Sequence, residues 1–218
     1  MRFRNRHEAA VLLAGRLAAY EPQHPLVLGL PRGGVPMARV IADALHGDLD
    51  VMLVRKLAAP GQPELALGAV DEAGVVVKGP YFASAPAAYI RAEIDAQQQR
   101  LRERRRRYAG AGHRPVDPAG RTLIIVDDGV ATGASMLSAI QAMRTRLPRT
   151  IVVAVGVAPP DTVARLRDAA DDVVCLHIPD GFFAVGQYYA DFSEVSEETV
   201  VVALMGGETR ARAPSKRS

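Results

Sequence analysis

The stretch Leu123-Ile-Ile-Val-Asp-Asp-Gly-Val-Ala-Thr-Gly-Ala-Ser135 joins an apolar run, two adjacent carboxylates and a turn of small residues. Its first four residues are apolar and mostly β-branched, which is typical of a central parallel strand that is covered on both faces. Asp127 and Asp128 therefore come at the carboxyl end of that strand, where open α/β sheets place their ligands. The stretch predicts an α/β fold with a binding site at this strand end.

The turn after the carboxylates has the composition of a phosphate site. Small side chains from Ala131 to Ser135 let backbone N–H groups close around an anion, and the helical pattern that starts at Met136 adds the positive end of a helix dipole. The carboxylates repel phosphate and suit ribose hydroxyls or a hydrated Mg²⁺ instead. A lone Asp-Asp-Gly is more typical of an ordinary strand end with a helix cap, but the flanking strand and turn favour a sugar-phosphate site.

This segment resembles the 5-phosphoribosyl-1-pyrophosphate (PRPP) loop of type I phosphoribosyltransferases, and the resemblance extends from about Leu26 to Phe192. It implies that Asp127 and Asp128 contact the ribose hydroxyls and hold Mg²⁺ through water or PRPP. It also implies a set of residues around the 5-phosphate, namely Ala131, Thr132, Gly133, Ala134 and Ser135.

A second turn, Gly29-Leu-Pro-Arg-Gly-Gly34, brings two consecutive glycines and one guanidinium to a strand end, which suits a pyrophosphate group. An ordinary surface turn is the alternative. The turn resembles the pyrophosphate loop of the same family, which commonly contains a non-proline cis peptide. The resemblance assigns Arg32, Gly33 and Gly34 to pyrophosphate and places the cis bond next to Arg32.

Arg55 and Lys56 end a further predicted strand and precede a loop, up to Glu64, that contains two prolines and a glycine. Such pairs of cations are common on surfaces. The arrangement resembles the catalytic loop that closes over PRPP in these enzymes, so we assign both residues to pyrophosphate and predict a mobile lid from Leu57 to Leu67.

Five aromatic residues lie between Asp180 and Phe192, where an aromatic face could stack on a planar base. A satellite core beneath a helix capped by Ser196 is the alternative. The segment resembles the hood of hypoxanthine-guanine phosphoribosyltransferases, in which the first Phe of Phe-x-Val-Gly stacks on the purine. Phe183 would be that residue, with Phe182 as the second choice.

The chain departs from that subfamily at both of its purine-reading positions. Ala131 occupies the place of an Asp that faces the purine imidazole, and the segment Gly156 to Pro160 lacks the Lys that reads the 6-oxo group. The sequence therefore supports the sugar-phosphate half of the site better than any choice of acceptor.

With 218 residues and 49% hydrophobic content, the chain can form one good core. Alternating helices and strands predict an open, mostly parallel sheet flanked by helices, with right-handed crossovers. We expect a single domain over residues 1–205, with a small hood from about 68–78 and 180–192, and a disordered tail from Gly206 to Ser218.

The predicted strands are Leu26 to Leu30, Asp50 to Val54, Leu123 to Val126, Ile151 to Val157 and Val173 to Ile178, with a hairpin of Leu65 to Val70 and Val75 to Lys78. The predicted helices are Asn5 to Ala19, with an Asn5/Glu8 capping box and apolar positions Val11, Leu12 and Leu17, then Val35 to Leu45, Ala85 to Tyr108 and Asp161 to Ala169.

Charge and cysteine content suggest a compartment. The net charge of +3 is modest, and the lone Cys175 in an apolar run argues against a disulfide scaffold and for an inert core thiol in a reducing cytosol. The segment Met1 to Arg6 lacks the apolar region of a signal peptide, and no apolar run is long enough to span a membrane. We expect a cytoplasmic protein with no membrane segment.

The helix from Arg91 to Tyr108 carries seven arginines, while its apolar residues fall on one face at spacings of four and seven. A solvated face with outward arginines is the favoured interpretation. A nucleic-acid surface is the less favoured alternative, because some members of this fold are regulators that bind PRPP and nucleic acid.

The resemblance implies Mg²⁺-dependent displacement of pyrophosphate from PRPP by a nitrogenous base or a related acceptor. Arg32, Arg55 and Lys56 would stabilise the departing pyrophosphate. The alternatives are a PRPP- or nucleotide-sensing regulator and a phosphate-binding module without turnover. A homodimer is compatible with the enzyme and with both alternatives.

Overall fold

The computed structural model describes residues 2–110 and 112–206, and the side chains of residues 63 and 64 lie outside the description. Eight strands follow in chain order: β1 (Leu26–Gly29), β2 (Asp48–Val51), β3 (Val54–Ala59), β4 (Gln62–Asp71), β5 (Val76–Lys78), β6 (Thr122–Gly129), β7 (Thr150–Val157) and β8 (Asp172–His177). The α-helices are α1 (Arg6–Arg16), α2 (Gly34–Ala44), α3 (Ala87–Gly110), α4 (Ala134–Arg144), α5 (Pro160–Ala169) and α6 (Glu197–Leu204).

The main sheet has the order β2-β1-β6-β7-β8, and all its neighbouring strands are parallel. Residues of β6 alternate between two cores. Ile124 and Val126 pack on the side of α1, α2 and α6, while Leu123 and Ile125 pack on the side of α4 and α5. The predicted open, mostly parallel sheet flanked by helices is confirmed, and β6 lies at its centre.

A separate antiparallel sheet, β3-β4-β5, contains the segment that we expected to be a loop. That prediction was wrong: residues 54–59 pair with β4 around a turn at Pro60 and Gly61, whose φ is +69°. Leu57 and Leu67 are each 1% exposed. Apolar side chains at alternating positions thus form a half-buried ribbon, and the Pro-Gly pair marks its turn.

The long helix α3 packs its predicted apolar face inward, with Ile90, Leu101 and Tyr108 buried. The expectation that all its arginines face outward was wrong for two of them. Arg105 Nη1 donates to Asp50 (2.8 Å) and its Nε to Glu72 (2.6 Å), whereas Arg104 pairs with Glu197. Those carboxylates come from distant parts of the chain, so the helix pattern alone does not reveal them.

Helix α1 begins at its predicted cap, where Asn5 accepts from the N–H of Glu8 at 3.0 Å. The Glu8 carboxylate reaches the backbone N–H of Arg4 rather than that of Asn5. Val11 and Leu12 are 51% and 41% exposed, so their predicted place on the apolar face was wrong, whereas the predicted Leu17 is fully buried. The buried residues lie on the opposite side of the helix, namely Ala9, Ala10, Leu13 and Ala14.

Three other predictions concern the C-terminal part. Ser196 caps α6 by accepting from the N–H of Thr199 at 3.1 Å, as expected. Cys175 lies in β8, half-buried and outside any disulfide, and burial raises the pKa of its thiol.

The predicted tail falls mainly on residues 207–218, which lie outside the described residues. None of the helices in the described ranges is long and apolar enough to cross a membrane.

Candidate active site

The turn between β6 and α4 forms a small concave site. A cavity of about 220 Å³ is lined by Asp127 and by residues 129–136, which include all five predicted phosphate-binding positions. Gly133 has φ +78°, a conformation that side chains disfavour, and the helix starts at the next residue. Among the described residues, the hydroxyls of Thr132 and Ser135 have no hydrogen-bond partner. The turn therefore presents donors and the positive end of a helix dipole to one space.

The two carboxylates do not face the same space. Consecutive strand residues point to opposite faces, so Asp127 lines the cavity of the turn while Asp128 points towards α1. Arg6 Nε donates to Asp128 Oδ2 at 2.7 Å. Both side chains of this pair are mostly buried, at 14% and 12% exposure. The strand period of two residues could have predicted this separation.

Burial governs the ionisation of the carboxylate pair. It raises the pKa of Asp127 well above the usual aspartate range, and the negative charge of Asp128 raises it further. Burial also raises the pKa of Asp128, although the Arg6 guanidinium opposes that effect. A cation bound beside Asp127 would favour its ionised form.

Oxygen donors of this kind fit Mg²⁺. The described residues contain no cluster of three or more His, Cys, Asp or Glu side chains that could hold a metal unaided. Mg²⁺ commonly takes one or two protein carboxylates and fills its other positions with water and substrate phosphates. Asp127 fits the role of such a protein ligand, with Asp128 already engaged by Arg6.

The loop after β1 packs directly against the end of β6. The peptide bond between Pro31 and Arg32 is cis, as the resemblance implied. A β-carbon at Gly34 would clash with the carbonyl oxygen of Val126, and one at Gly33 would clash with the carboxylate of Asp128. The two glycines therefore allow the predicted pyrophosphate loop to lie beside the carboxylates.

Two charged residues that the sequence did not single out lie on this site. Arg6 donates from Nη1 to the carbonyl of Ser193 at 2.7 Å, and its guanidinium lies 3.9 Å from the ring centre of Phe192. Glu194 forms an ion pair with Arg32. Neither contact has a signal in the local sequence pattern, because the partners are more than a hundred residues apart.

Arg55 and Lys56 are adjacent in β3 and so point to opposite faces of that ribbon. Arg55 faces α3: burial lowers its pKa, and the charges of Arg104 and Arg100 lower it further. The structure thus does not direct both cations to one point, as a shared hold on pyrophosphate would require.

The aromatic segment divides into a packed part and an exposed residue. Tyr189 donates to the backbone carbonyl of Asp128 at 2.5 Å, and Phe182 stacks on Tyr188 with ring centres 5.7 Å apart. Phe183 is 92% exposed. Tyr188 and Tyr189 are both buried and belong to the main core rather than to a separate satellite core, whereas Phe183 is free to meet a ligand.

A larger cleft of about 490 Å³ lies at the opposite end of α4. Its two guanidiniums are already paired, Arg105 with Asp50 and Glu72, and Arg146 with Asp71 at 3.0 Å. These contacts tie α3 and α4 to the two sheets. The carboxylate and the small-residue turn that the sequence predicts for a sugar phosphate line the smaller cavity instead.

Comparison with known proteins agrees with this geometry. The family profile described as "Phosphoribosyl transferase domain" matches residues 5–193. Two curated proteins of Mycobacterium tuberculosis, "Putative phosphoribosyl transferase MT0597" and "Putative phosphoribosyl transferase Rv0571c", are each 44% identical over 208 residues. Those alignments cover 93% of this chain and 46% of each relative, so the chain spans about half the length of the curated relatives it matches.

Among solved structures, the crystal structure of TT1426 from Thermus thermophilus is 48% identical, with a TM-score of 0.87. The match covers 94% of this chain and 98% of that one. The fold expected from the PRPP-loop resemblance is therefore confirmed. By the family match over most of its length, the chain belongs to the phosphoribosyl transferase domain family.

Proposed function

We propose that the protein is a Mg²⁺-dependent phosphoribosyltransferase that transfers the 5-phosphoribosyl group of PRPP to a nitrogen nucleophile and releases pyrophosphate. The observation that carries this proposal is the cavity in which Asp127 meets a small-residue turn at the start of α4. One side of that site suits a phosphate and the other suits ribose hydroxyls, and the cis-peptide loop packs against the same strand end.

Binding would begin with the sugar phosphate. The N–H groups and hydroxyls of residues 131–135 would hold the 5-phosphate, and Asp127 would accept hydrogen bonds from ribose hydroxyls. Asp128, on the other side of the strand, would either accept a hydrogen bond from a ribose hydroxyl as well or hold Arg6 as a fixed positive charge beside the site. Fixing the ribose in this way orients its anomeric carbon for attack, which lowers the entropic part of the barrier.

Pyrophosphate would leave towards the loop after β1. Arg32 would exchange Glu194 for a phosphate oxygen, and the amide of Gly33 would donate to the developing charge. The N–H of Gly34 already donates to the carbonyl of Leu30 at 2.9 Å. Mg²⁺, bound through Asp127 and the diphosphate, would supply further stabilisation of that charge. Arg55 and Lys56 point to opposite faces of β3, so one pyrophosphate group would not contact both of them.

The acceptor would lie near Phe183, whose exposed ring can stack on a flat heterocycle. We expect hypoxanthine and guanine to be poor acceptors, because Ala131 and residues 156–160 offer no side chain to read their polar edges. Each buried polar group left unpaired costs roughly 1 to 3 kcal/mol. Phe182 is already stacked on Tyr188, which makes it the weaker candidate.

The deciding experiment measures pyrophosphate release from PRPP and Mg²⁺ with a panel of bases: adenine, guanine, hypoxanthine, orotate and uracil. We expect steady release with one acceptor class and its loss in Asp127→Asn. Asp95→Asn, which changes an exposed carboxylate on α3, is the matched control and should behave as the wild type. Absence of release with every base, although PRPP binds, would contradict the enzyme and favour a sensor.

A regulatory function is the second candidate, and one surface favours it. Five arginines of α3 are exposed and could contact nucleic-acid phosphates, namely Arg91, Arg100, Arg102, Arg106 and Arg107. A regulator would select a defined sequence with a steep dependence on salt. Selection of bound DNA and RNA at physiological salt, with and without PRPP, tests this. One enriched motif would favour the regulator over the enzyme.

A further inference from the structure

The first turn of α5 lies directly behind the phosphate turn. Thr162 is 2% exposed, and its hydroxyl donates to the backbone carbonyl of Ala131 at 2.7 Å. Its methyl carbon lies 3.2 Å from the position that a β-carbon at Gly133 would take. This buried threonine therefore lies against the turn at Ala131 and at Gly133.

Arg165, one helical turn later, holds the next carbonyl. Its Nη2 donates to the carbonyl of Thr132 at 3.0 Å and to the hydroxyl of Thr162 at 3.0 Å. Two successive carbonyls of the turn are thus fixed by one short section of α5. The helix can supply both contacts because it starts at Pro160, three residues after the end of β7, in the segment where the purine-reading Lys of the resembled subfamily is missing.

Fixing these carbonyls also orients the amides. In a trans peptide the C=O and the following N–H point in opposite directions, so holding the carbonyls of Ala131 and Thr132 towards α5 turns the N–H groups of Thr132 and Gly133 away from it. Among the described residues, neither of these N–H groups donates to an acceptor. They are ready donors for an anion on the far side of the turn.

The contact with Arg165 also supplies charge. Residues 131–135 include no basic side chain, so the turn has only backbone dipoles and hydroxyls with which to attract a phosphate. The guanidinium of Arg165, hydrogen-bonded to the turn itself, adds a full positive charge on the side opposite the ligand.

We propose that Thr162 and Arg165 are positioning residues that preorganise the turn at 131–135 for the 5-phosphate of a phosphoribosyl ligand. This proposal rests on the proposed function of that site, and it extends the site to a helix that the family resemblance did not assign. Preorganisation lowers the cost of ordering the turn when the ligand binds, so its loss appears as weaker binding of the sugar phosphate.

The test measures the affinities of ribose 5-phosphate and of pyrophosphate by calorimetry. Thr162→Val keeps the shape and removes the hydroxyl, whereas Thr162→Ser restores it. Arg165→Gln removes the charge, and Arg167→Gln is the control at an exposed position of the same helix. We expect Thr162→Val and Arg165→Gln to weaken ribose 5-phosphate binding about three- to tenfold. Pyrophosphate binding should stay within about twofold in both, and Thr162→Ser and Arg167→Gln should match the wild type.

The outcomes separate this proposal from the proposed function. Equal weakening of both ligands, an unchanged ribose 5-phosphate affinity, or a Thr162→Ser variant as weak as Thr162→Val would overturn the positioning role, whether or not the enzyme turns over. Specific loss of ribose 5-phosphate affinity would support it even if no base yields pyrophosphate. Thermal unfolding of each ligand-free variant establishes that the loss belongs to the site and not to the fold.

Discussion

Arg6 and Asp128 form an ion pair, 2.7 Å between Nε and Oδ2, that joins the first turn of α1 to the end of β6. The pair neutralises the charge of one of two adjacent carboxylates and leaves the other, Asp127, facing the turn at residues 131–135. Because Arg6 also contacts Ser193 and Phe192, the pair links the start of the chain to the aromatic segment across the site.

Removing the guanidinium should destabilise the fold. In Arg6→Gln the Asp128 carboxylate stays buried but loses its positive partner, so we expect the free energy of unfolding to fall by about 2 to 3 kcal/mol, somewhat less than for a fully buried pair. Urea denaturation at neutral pH measures it. Arg4→Gln, which breaks an exposed pair with Glu8, should cost less than about 1 kcal/mol. Equal losses in the two variants would contradict the structural role of the buried pair.

Asp127 should make the ligand-free protein less stable as the pH rises. Burial raises its pKa above the ordinary value of 3.8, so the folded state binds its proton more tightly than the unfolded state does. This stabilisation is complete below the unfolded pKa and is lost as the pH rises through the raised, folded pKa.

Asp127→Asn cannot ionise, so its stability relative to the wild type should increase with pH over that window and then level off. Denaturation of both proteins between about pH 4 and about pH 8 checks the prediction. A difference in stability that is independent of pH would show that Asp127 has no raised pKa.

Glu194 should compete with pyrophosphate for Arg32. Both side chains are substantially exposed, so the pair is weak, and Glu194→Gln should tighten pyrophosphate binding about two- to fivefold. Arg32→Ala should weaken pyrophosphate more than ribose 5-phosphate. Titration of each variant with both ligands measures these effects, with Glu198→Gln as an exposed control. Unchanged pyrophosphate affinity in Arg32→Ala would contradict the assignment of the loop after β1 to pyrophosphate.

The predicted lid should be mobile only near its tip. Leu57 and Leu67 are buried within the antiparallel ribbon, so their amides should be protected from hydrogen exchange in the free protein. Amides around Gly61 should exchange fast and slow down when PRPP binds. Hydrogen exchange with and without PRPP measures this. A tip that is fully protected in the free state would make the ribbon purely structural.

The sequence predicted those parts of the site that are continuous in the chain. The strand before Asp127 and the turn up to Ser135 carry their pattern within thirteen residues, and a cavity lies at that turn. Helix α4 begins at Ala134, two residues before the predicted Met136. The cis peptide beside Arg32 followed from the family resemblance and not from local composition.

The parts that the sequence did not predict depend on distant contacts or on strand geometry. Arg6, Glu194 and Arg165 act on residues far away in the chain, and no periodicity links such partners. The ribbon after Val54 was mistaken for a loop because its Pro-Gly turn outweighed the alternation of buried residues on either side. The opposite faces of Asp127 and Asp128 were predictable from the strand period.

The affinity of PRPP with Mg²⁺ for Asp127→Asn, measured by calorimetry, tests the central claim most directly. The substitution keeps the size of the side chain and removes a charged acceptor, so we expect a loss of roughly 1.5 to 3 kcal/mol of binding free energy. Asp95→Asn should bind as the wild type does. A folded Asp127→Asn protein with undiminished PRPP affinity would contradict the assignment of this cavity as the phosphoribosyl site.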